Sequence, residues 1–391
     1  MRIGIDARTI LNPEKGDAIG AGHYAFQLIR HLLDMDKENE FVLFFDFRVR
    51  EKDVKKFSRP NVKIKFYPFS DYKKYLPGAY SEILGEATLQ KEKLDILHST
   101  SPLSRIPLSY KGKCAVTFHD LSLYKIPQCF PRIKRMRDKA VYSLMARRAD
   151  KIIAVSKSTK EDTRNIFKVP EGKIKVIHSG LDERFFDEPE VDSQKVLAKY
   201  GINKKYILFL GTLEPSKNIT RLLEAFARFK KKCLQGKNSK KFDYQLALAG
   251  KRGWLSREFK QIAKDFGIAK DIVYTGYIIG DELNPLFKGA EFFVMPSLYE
   301  GFGMTVLEAF ATQTPAIISN VSSLPEIAGE AAYFVNPLDT EEISEAIWKF
   351  SQDEDLRNQY RQKGLEQARK FDWKKTARET LEVYKEMNNS N

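Results

Sequence analysis

MPSLYEGFGMTVLEAFAT, residues 295–312, carries a buried strand into a loop and then into a helix. The apolar run Phe292–Met295 reads as the strand, and Pro296 and Ser297 turn the chain out of it. Glu300 then lies on a loop with Gly301 and Gly303, and Glu308 falls on the helix expected from Met304 onward. A glycine-bearing loop that feeds a helix offers free backbone N–H groups and the positive end of a helix dipole, which attract phosphate. Carboxylates are poor phosphate ligands but good acceptors for hydroxyls. The stretch therefore predicts a nucleotide-sugar site, with one carboxylate for a sugar and one for a ribose.

At 391 residues the chain is long enough for two domains of ordinary size. Its 42% hydrophobic and 30% charged content is that of a globular protein. No run approaches the ~20 apolar residues of a membrane span, and MRIGIDART has no signal-peptide pattern, so a cytoplasmic location is expected. Cys114, Cys129 and Cys233, odd in number and widely spaced, argue against a disulfide framework or a zinc site. The net charge of +14 is uneven: residues 1–185 hold 36 Lys+Arg against 23 Asp+Glu, the rest 30 against 29. The excess concentrates in Arg48–Lys74 and Arg132–Lys151. An anionic membrane surface is the favoured partner for the basic half, ahead of mere solubility and of nucleic acid.

Working outward, apolar runs at 2–6, Phe41–Phe45, Val62–Tyr67, Ile96–Leu97, Cys114–Phe118, Lys151–Val155 and Lys175–Ile177 alternate with helical stretches. These include a helix from about Gly22, Ile133–Ala149 and Lys157–Phe167. The pattern restarts at Tyr206 with strands Ile207–Leu210, Leu246–Ala249, Ile272–Tyr274, Phe292–Met295 and Ala316–Ile318. Alternation of this kind calls for an α/β fold, a parallel sheet with helices on both faces, here twice. Domains are expected over 1–190 and 191–370, with Asp182–Tyr200 as the connection and a C-terminal helical segment over 371–391. Lys230–Lys241 reads as an exposed loop. Paired doubly wound domains would face each other across a ligand cleft.

Several loops carry candidate chemistry. In Gly211-Thr-Leu-Glu-Pro-Ser-Lys217-Asn218, Lys217 precedes a helix start, where a cation opposes the dipole, which suggests a bound diphosphate. Gly250 and Lys251, in AGKRGW, follow the next strand and could approach a nucleobase or phosphate. Gly20-Ala-Gly22 could offer N–H groups to the same phosphates but lacks the dinucleotide fingerprint. His119-Asp120 ends a strand, where a histidine could hold sugar hydroxyls or move a proton. The other histidines show no metal-ligand spacing. Glu300 and Glu308 could alternatively form a glycosidase acid/base pair.

YEGFGMTVLE resembles the E-x7-E signature of family 4 glycosyltransferases, retaining enzymes of the GT-B fold. GAGHYAFQLIRHL, VTFHDLSLYKIPQCF, IIAVSKSTKEDTRNIF, KVIHSGLD, LGTLEPSKNITRLLEAF, LAGKRGW and SNVSSLPEIAGEAAYFVNPLD follow in the family's order, and the HD and GTLEP-KN forms look most like the mannosyltransferase branch of O-antigen and surface-polysaccharide synthesis. The resemblance implies two Rossmann-like domains. It gives Glu308 the ribose, Glu300 the sugar with Gly301, Phe302 and Gly303 beside it, Lys217 and Gly22 the diphosphate, and His119 the anomeric region. It also implies metal-independent transfer with no cofactor beyond the nucleotide sugar, GDP-mannose being favoured over UDP- and TDP-sugars. The acceptor implied is a polyprenyl-diphosphate-linked saccharide at the inner membrane, with the enzyme peripherally bound there. Two departures stand out: the arginine that many relatives carry at Thr212 or Ser216, and the Cys-Gly that is Thr312-Gln313 here. A nucleotide-sugar 2-epimerase and a non-catalytic nucleic-acid or membrane binder are the alternatives.

Overall fold

The computed structural model describes residues 1–11, 20–67, 78–235, 243–251, 253, 256–278 and 280–389. The chain divides into two compact units: 1–124, 130–180 and 372–391 form the first, and 125–129 with 181–371 the second. The first unit thus ends at Gly180 rather than at 190, so most of the expected connection belongs to the second.

The first unit is built on seven strands: β1 Arg2–Asp6, β2 Glu40–Asp46, β3 Val62–Tyr67, β4 Ile96–Ser99, β5 Lys113–Phe118, β6 Lys151–Ala154 and β7 Ile174–Val176. They are all parallel, in the order β3-β2-β1-β4-β5-β6-β7. Such strands are covered on both faces, which is why β2 reads EFVLFFD with everything after Glu40 buried. Helices α1 Gly20–Met35, α2 Gly78–Gln90, α3 Arg132–Arg148 and α4 Lys157–Phe167 lie between the strands in sequence. Helix α1 begins at Gly20, so Gly22 sits inside its first turn rather than at its start. α2 carries no strong periodicity and had no sequence signal.

The second unit repeats the design with β8 Lys205–Leu210, β9 Tyr244–Ala249, β10 Ile272–Gly276, β11 Phe292–Met295, β12 Ala316–Ser319 and β13 Tyr333–Val335. Their order is β10-β9-β8-β11-β12-β13, again parallel. β13 was missed because three residues are too short for a period to show; it is fixed by pairing Ile317 with Tyr333 and Ser319 with Val335. Helices here are α5 Ile219–Gln235, α6 Ser256–Asp265, α7 Met304–Ala311, α8 Thr340–Gln352 and α9 Glu354–Ala368. α5 buries Ile219, Leu222, Leu223, Phe226, Phe229 and Cys233, the three-to-four spacing of one helix face. That face continues the helix to Gln235, so Lys230–Gln235 is not the expected loop: Lys232 pairs with Glu345 of α8 at 2.6 Å, and 236–241 lie outside the described residues. Asp339 and Asp353 cap α8 and α9, each accepting a first-turn N–H.

The last helix, α10 Trp373–Asn389, belongs to the first unit and packs on α1. Its Trp373 is buried with its ring 5.7 Å from that of Tyr24 and stacked 6.4 Å from His31. The three cysteines are buried free thiols.

Candidate active site

In both sheets the strand order reverses beside the first strand of the unit, between β1 and β4 and between β8 and β11. Ligands of open α/β sheets bind outside the carboxyl ends of the strands at that switch point. In the second unit the loops leaving β8 and β11 are the two that hold Lys217 and Glu300.

The β8 loop closes with a 3-10 turn over Pro215–Lys217 and ends at Asn218, a left-handed residue (φ 60°) just before α5. Asn218 is buried, and its Nδ2 donates to the Pro296 carbonyl at 3.0 Å and to that of Pro337 at 2.6 Å. One amide thus ties the loops after β8, β11 and β13 together. The Leu298 N–H donates to the Ser216 carbonyl at 2.9 Å, a second tie. Lys217 is thereby aimed at the β11 loop, where its Nζ lies 2.6 Å from Glu300 Oε1. The two residues expected to serve diphosphate and sugar separately form an ion pair with each other, largely out of solvent.

Three serines hold Glu300. Ser297 Oγ donates to the same Oε1 at 2.7 Å. Ser322 Oγ accepts the Glu300 N–H at 2.9 Å, and Ser323 Oγ donates to the Glu300 carbonyl at 2.9 Å. With Oε1 taken twice, Oε2 makes no hydrogen bond among the described residues. The carboxylate is thus fixed in place and presents one open acceptor oxygen. None of these serines, nor Asn218, was singled out from the sequence. Their bonds join loops far apart in the chain and leave no local pattern.

Gly301, Phe302 and Gly303 are buried. Gly303 precedes α7 at φ 97°, where a side chain would be strained and its Cβ would stand 2.7 Å from Leu324. Phe302 sets its ring edge-on to Phe371 at 5.9 Å. α7 begins with no side-chain cap. The side chain of Glu308, on α7, makes no hydrogen bond or ion pair among the described residues. Burial pushes its carboxyl up to about 7, against the opposing pull of Arg184 and reinforced by Asp182. Thr312, which stands where many relatives have the Cys of Cys-Gly, is buried and bonds back to the Glu308 and Ala309 carbonyls at 2.9 Å each, so the helix end is satisfied without it.

Gly250 has a packing reason to be glycine. Gly250 sits at φ 141°, and a Cβ there would fall 1.9 Å from the Gly211 carbonyl oxygen. The two loops run side by side, Leu213 N–H donating to the Lys251 carbonyl at 2.9 Å and Gly253 N–H to that of Leu213 at 3.0 Å. Lys251 Nζ lies over the Tyr277 ring at 4.4 Å.

The first unit's strand ends hold His119 and, in the first turn of α1, Gly22. His119 Nε2 lies 2.7 Å from the Thr100 carbonyl, which can only accept, so Nε2 carries the proton. Nδ1 makes no hydrogen bond among the described residues and is left as an acceptor. Burial lowers the His119 pKa, partly offset by Thr100 and Asp120. Asp120 does not orient the ring; its Oδ1 accepts from Ser122 N and Oγ at 3.0 and 2.6 Å, capping the next turn. Beneath lies a network absent from the sequence reading. His98 is fully buried, with Nδ1 2.6 Å from Tyr384 Oη and Nε2 2.8 Å from Thr117 Oγ1. Burial pushes its pKa down to about 3, with His119 adding to the effect. Tyr24 stands 4.8 Å from the His119 ring, edge-on. Among the described residues no group of three or more His, Cys, Asp or Glu is placed to hold a metal ion.

Comparison with known proteins bears on the whole chain. The family model described as Glycosyl transferases group 1 matches residues 192–367, and that of Glycosyltransferase Family 4 matches 19–185. The chain is 28% identical to the O-antigen chain mannosyltransferase B of Escherichia coli over 95% of its own length and 97% of that protein. It is 30% identical to the serotype-specific mannosyltransferase WbdA of Escherichia coli, over 61% of this chain but 29% of that larger protein. Among solved structures, sucrose-phosphate synthase from Thermosynechococcus elongatus superposes with a TM-score of 0.78 at 19% identity, covering all of both chains. WaaG, a glycosyltransferase involved in lipopolysaccharide biosynthesis, does so with a TM-score of 0.73 at 14% identity, over 98% of this chain and 99% of that one. These likenesses carry the GT-B fold.

Proposed function

We propose that this chain, which belongs to the family 4 glycosyltransferases, transfers mannose from GDP-mannose to a polyprenyl-diphosphate-linked saccharide during surface-polysaccharide synthesis, with retention and without a metal ion. The observation that carries the choice of sugar is the end-to-end likeness to an O-antigen chain mannosyltransferase.

The chemistry fits the second unit's switch point. Breaking the bond between sugar and phosphate leaves charge on the diphosphate, and a preorganised cation there lowers the barrier. Lys217 is that cation. The incoming diphosphate competes with Glu300 for it, and the carboxylate, still held by Ser297, turns its open oxygen to sugar hydroxyls. Glu308 accepts the ribose hydroxyls, most strongly when ionised. His119, proton on Nε2, offers Nδ1 as an acceptor to a sugar hydroxyl and in that tautomer is not a general acid. With no arginine at Thr212 or Ser216, Lys217 carries the diphosphate charge with the backbone N–H groups at the start of α7. The basic first unit would bring the enzyme to the anionic inner leaflet, where the acceptor resides.

The test is a panel of labelled nucleotide sugars with lipid-linked saccharide. The expected result is transfer from GDP-mannose into the lipid phase, with the anomeric configuration kept by NMR. No turnover of any donor, with Glu308→Ala binding nucleotides as the wild type does, would sink the proposal.

A further inference from the structure

The positive charge of the first unit has one concentrated, structured expression. Helix α3 opens Arg132-Ile-Lys-Arg-Met-Arg137, six residues of which four are cations and two are large and apolar. The buried face of the helix starts only at Asp138 and continues through Met145 and Ala146. Ile133 and Met136, one turn apart on the opposite face, are 85% and 65% exposed. Ala140 extends the same stripe and is exposed too. Ile133 is the most exposed large apolar side chain among the described residues.

The cations beside this stripe are partly neutralised. Arg137 pairs with Asp138 at 2.7 Å, the single acid of the helix. Lys134 lies 5.9 Å from the Phe130 ring centroid, and among the described residues no carboxylate pairs with Arg132 or Lys134. A solvated helix face gains nothing by exposing isoleucine and methionine between like charges. A face meeting an anionic bilayer gains twice, because the cations meet headgroup phosphates while the apolar side chains reach the acyl boundary.

We infer that the first two turns of α3 are the membrane-docking element of this protein, inserting Ile133 and Met136 into an anionic phospholipid leaflet while Arg132, Lys134 and Arg137 engage its headgroups. The inference rests on the reading of the acceptor as a lipid-linked molecule, and it names the element and the mode of attachment.

The experiment is vesicle sedimentation of the full chain with phosphatidylglycerol/phosphatidylcholine against pure phosphatidylcholine. The wild type is expected to pellet with the anionic vesicles and to keep a residual, salt-resistant fraction. Replacing Arg132, Lys134 and Arg137 by Gln should weaken binding roughly a hundredfold, at about fivefold per cation. Ile133→Ser with Met136→Ser should cost about tenfold or more and abolish the salt-resistant part. In an Ile133→Trp variant, the added emission should shift to the blue and be quenched by brominated acyl chains. An apolar double variant that binds like the wild type, or a residue-133 tryptophan untouched by brominated lipid, would overturn insertion. Equal capture by a single-stranded oligonucleotide, indifferent to Ile133 and Met136, would do so as well. GDP-mannose turnover with a detergent-solubilised acceptor separates the two readings. Turnover without vesicle binding removes the docking element alone, and vesicle binding without turnover removes the sugar assignment alone.

Discussion

The two sheets reverse at the same topological point, yet the charges at their strand ends are arranged differently. The second unit is nearly neutral overall but puts an ion pair at its switch point, Lys217 to Glu300 at 2.6 Å. The first unit carries most of the net charge, but the ion pairs at its strand ends, Arg8 with Asp6 and Arg48 with Asp46, each join residues two positions apart, and the histidine beneath His119, His98, is held uncharged between Tyr384 and Thr117. Topology fixes where a ligand can sit, and the side chains fix what it can be. A strongly basic domain need not have a basic site, because its charge can be spent on an outer face such as the start of α3.

The comparison breaks first at Lys217. Lys217→Met should lower transfer about a thousandfold, the loss of one preorganised charge contact at the transition state. A variant that unfolds but retains its specific rate would make the pair structural. The first unit should behave the other way. His98→Ala leaves Tyr384 and Thr117 unsatisfied around a cavity and should cost about 3 kcal/mol in denaturant unfolding. Nucleotide affinity should stay as it was. Loss of affinity with stability intact would reverse the assignment.

Glu308 sharpens the contrast through pH. Its folded carboxyl is raised from 4.5 to about 7 by burial. Between those values the folded state keeps a proton that the unfolded chain has lost, so this group's contribution to stability falls as pH rises through that window. Glu308→Gln should therefore gain about 1–3 kcal/mol of stability at pH 8 and almost nothing at pH 4. GDP binding to the wild type should strengthen from pH 6 to pH 8, and the glutamine variant should lose that dependence. The smallest effect is expected at Ser297. Ser297→Ala removes one of the two bonds to Glu300 Oε1 and should lower kcat about tenfold, with KM for the donor nearly unchanged.

Much of this was legible in the sequence because it is written locally. Apolar runs of two to six residues spelled out most strands, and a glycine loop between two glutamates marked the site. What stayed hidden depends on contacts between distant segments. The bond from His98 to Tyr384 spans 286 positions, and the serine bonds to the Glu300 backbone join loops more than twenty residues apart. Asn218 looked like an ordinary residue before a helix, whereas its amide ties three loops. Lys217 and Glu300 were each found, but their pairing was not, since nothing along the chain measures distance across strands.

Calorimetric titration of GDP-mannose reads whether the donor sits on the second unit's switch point. Saturable binding by the wild type is expected at pH 8, with Lys217→Met and Glu308→Ala each weaker by tenfold or more. GDP-mannose binding at the same affinity in all three proteins would contradict that placement.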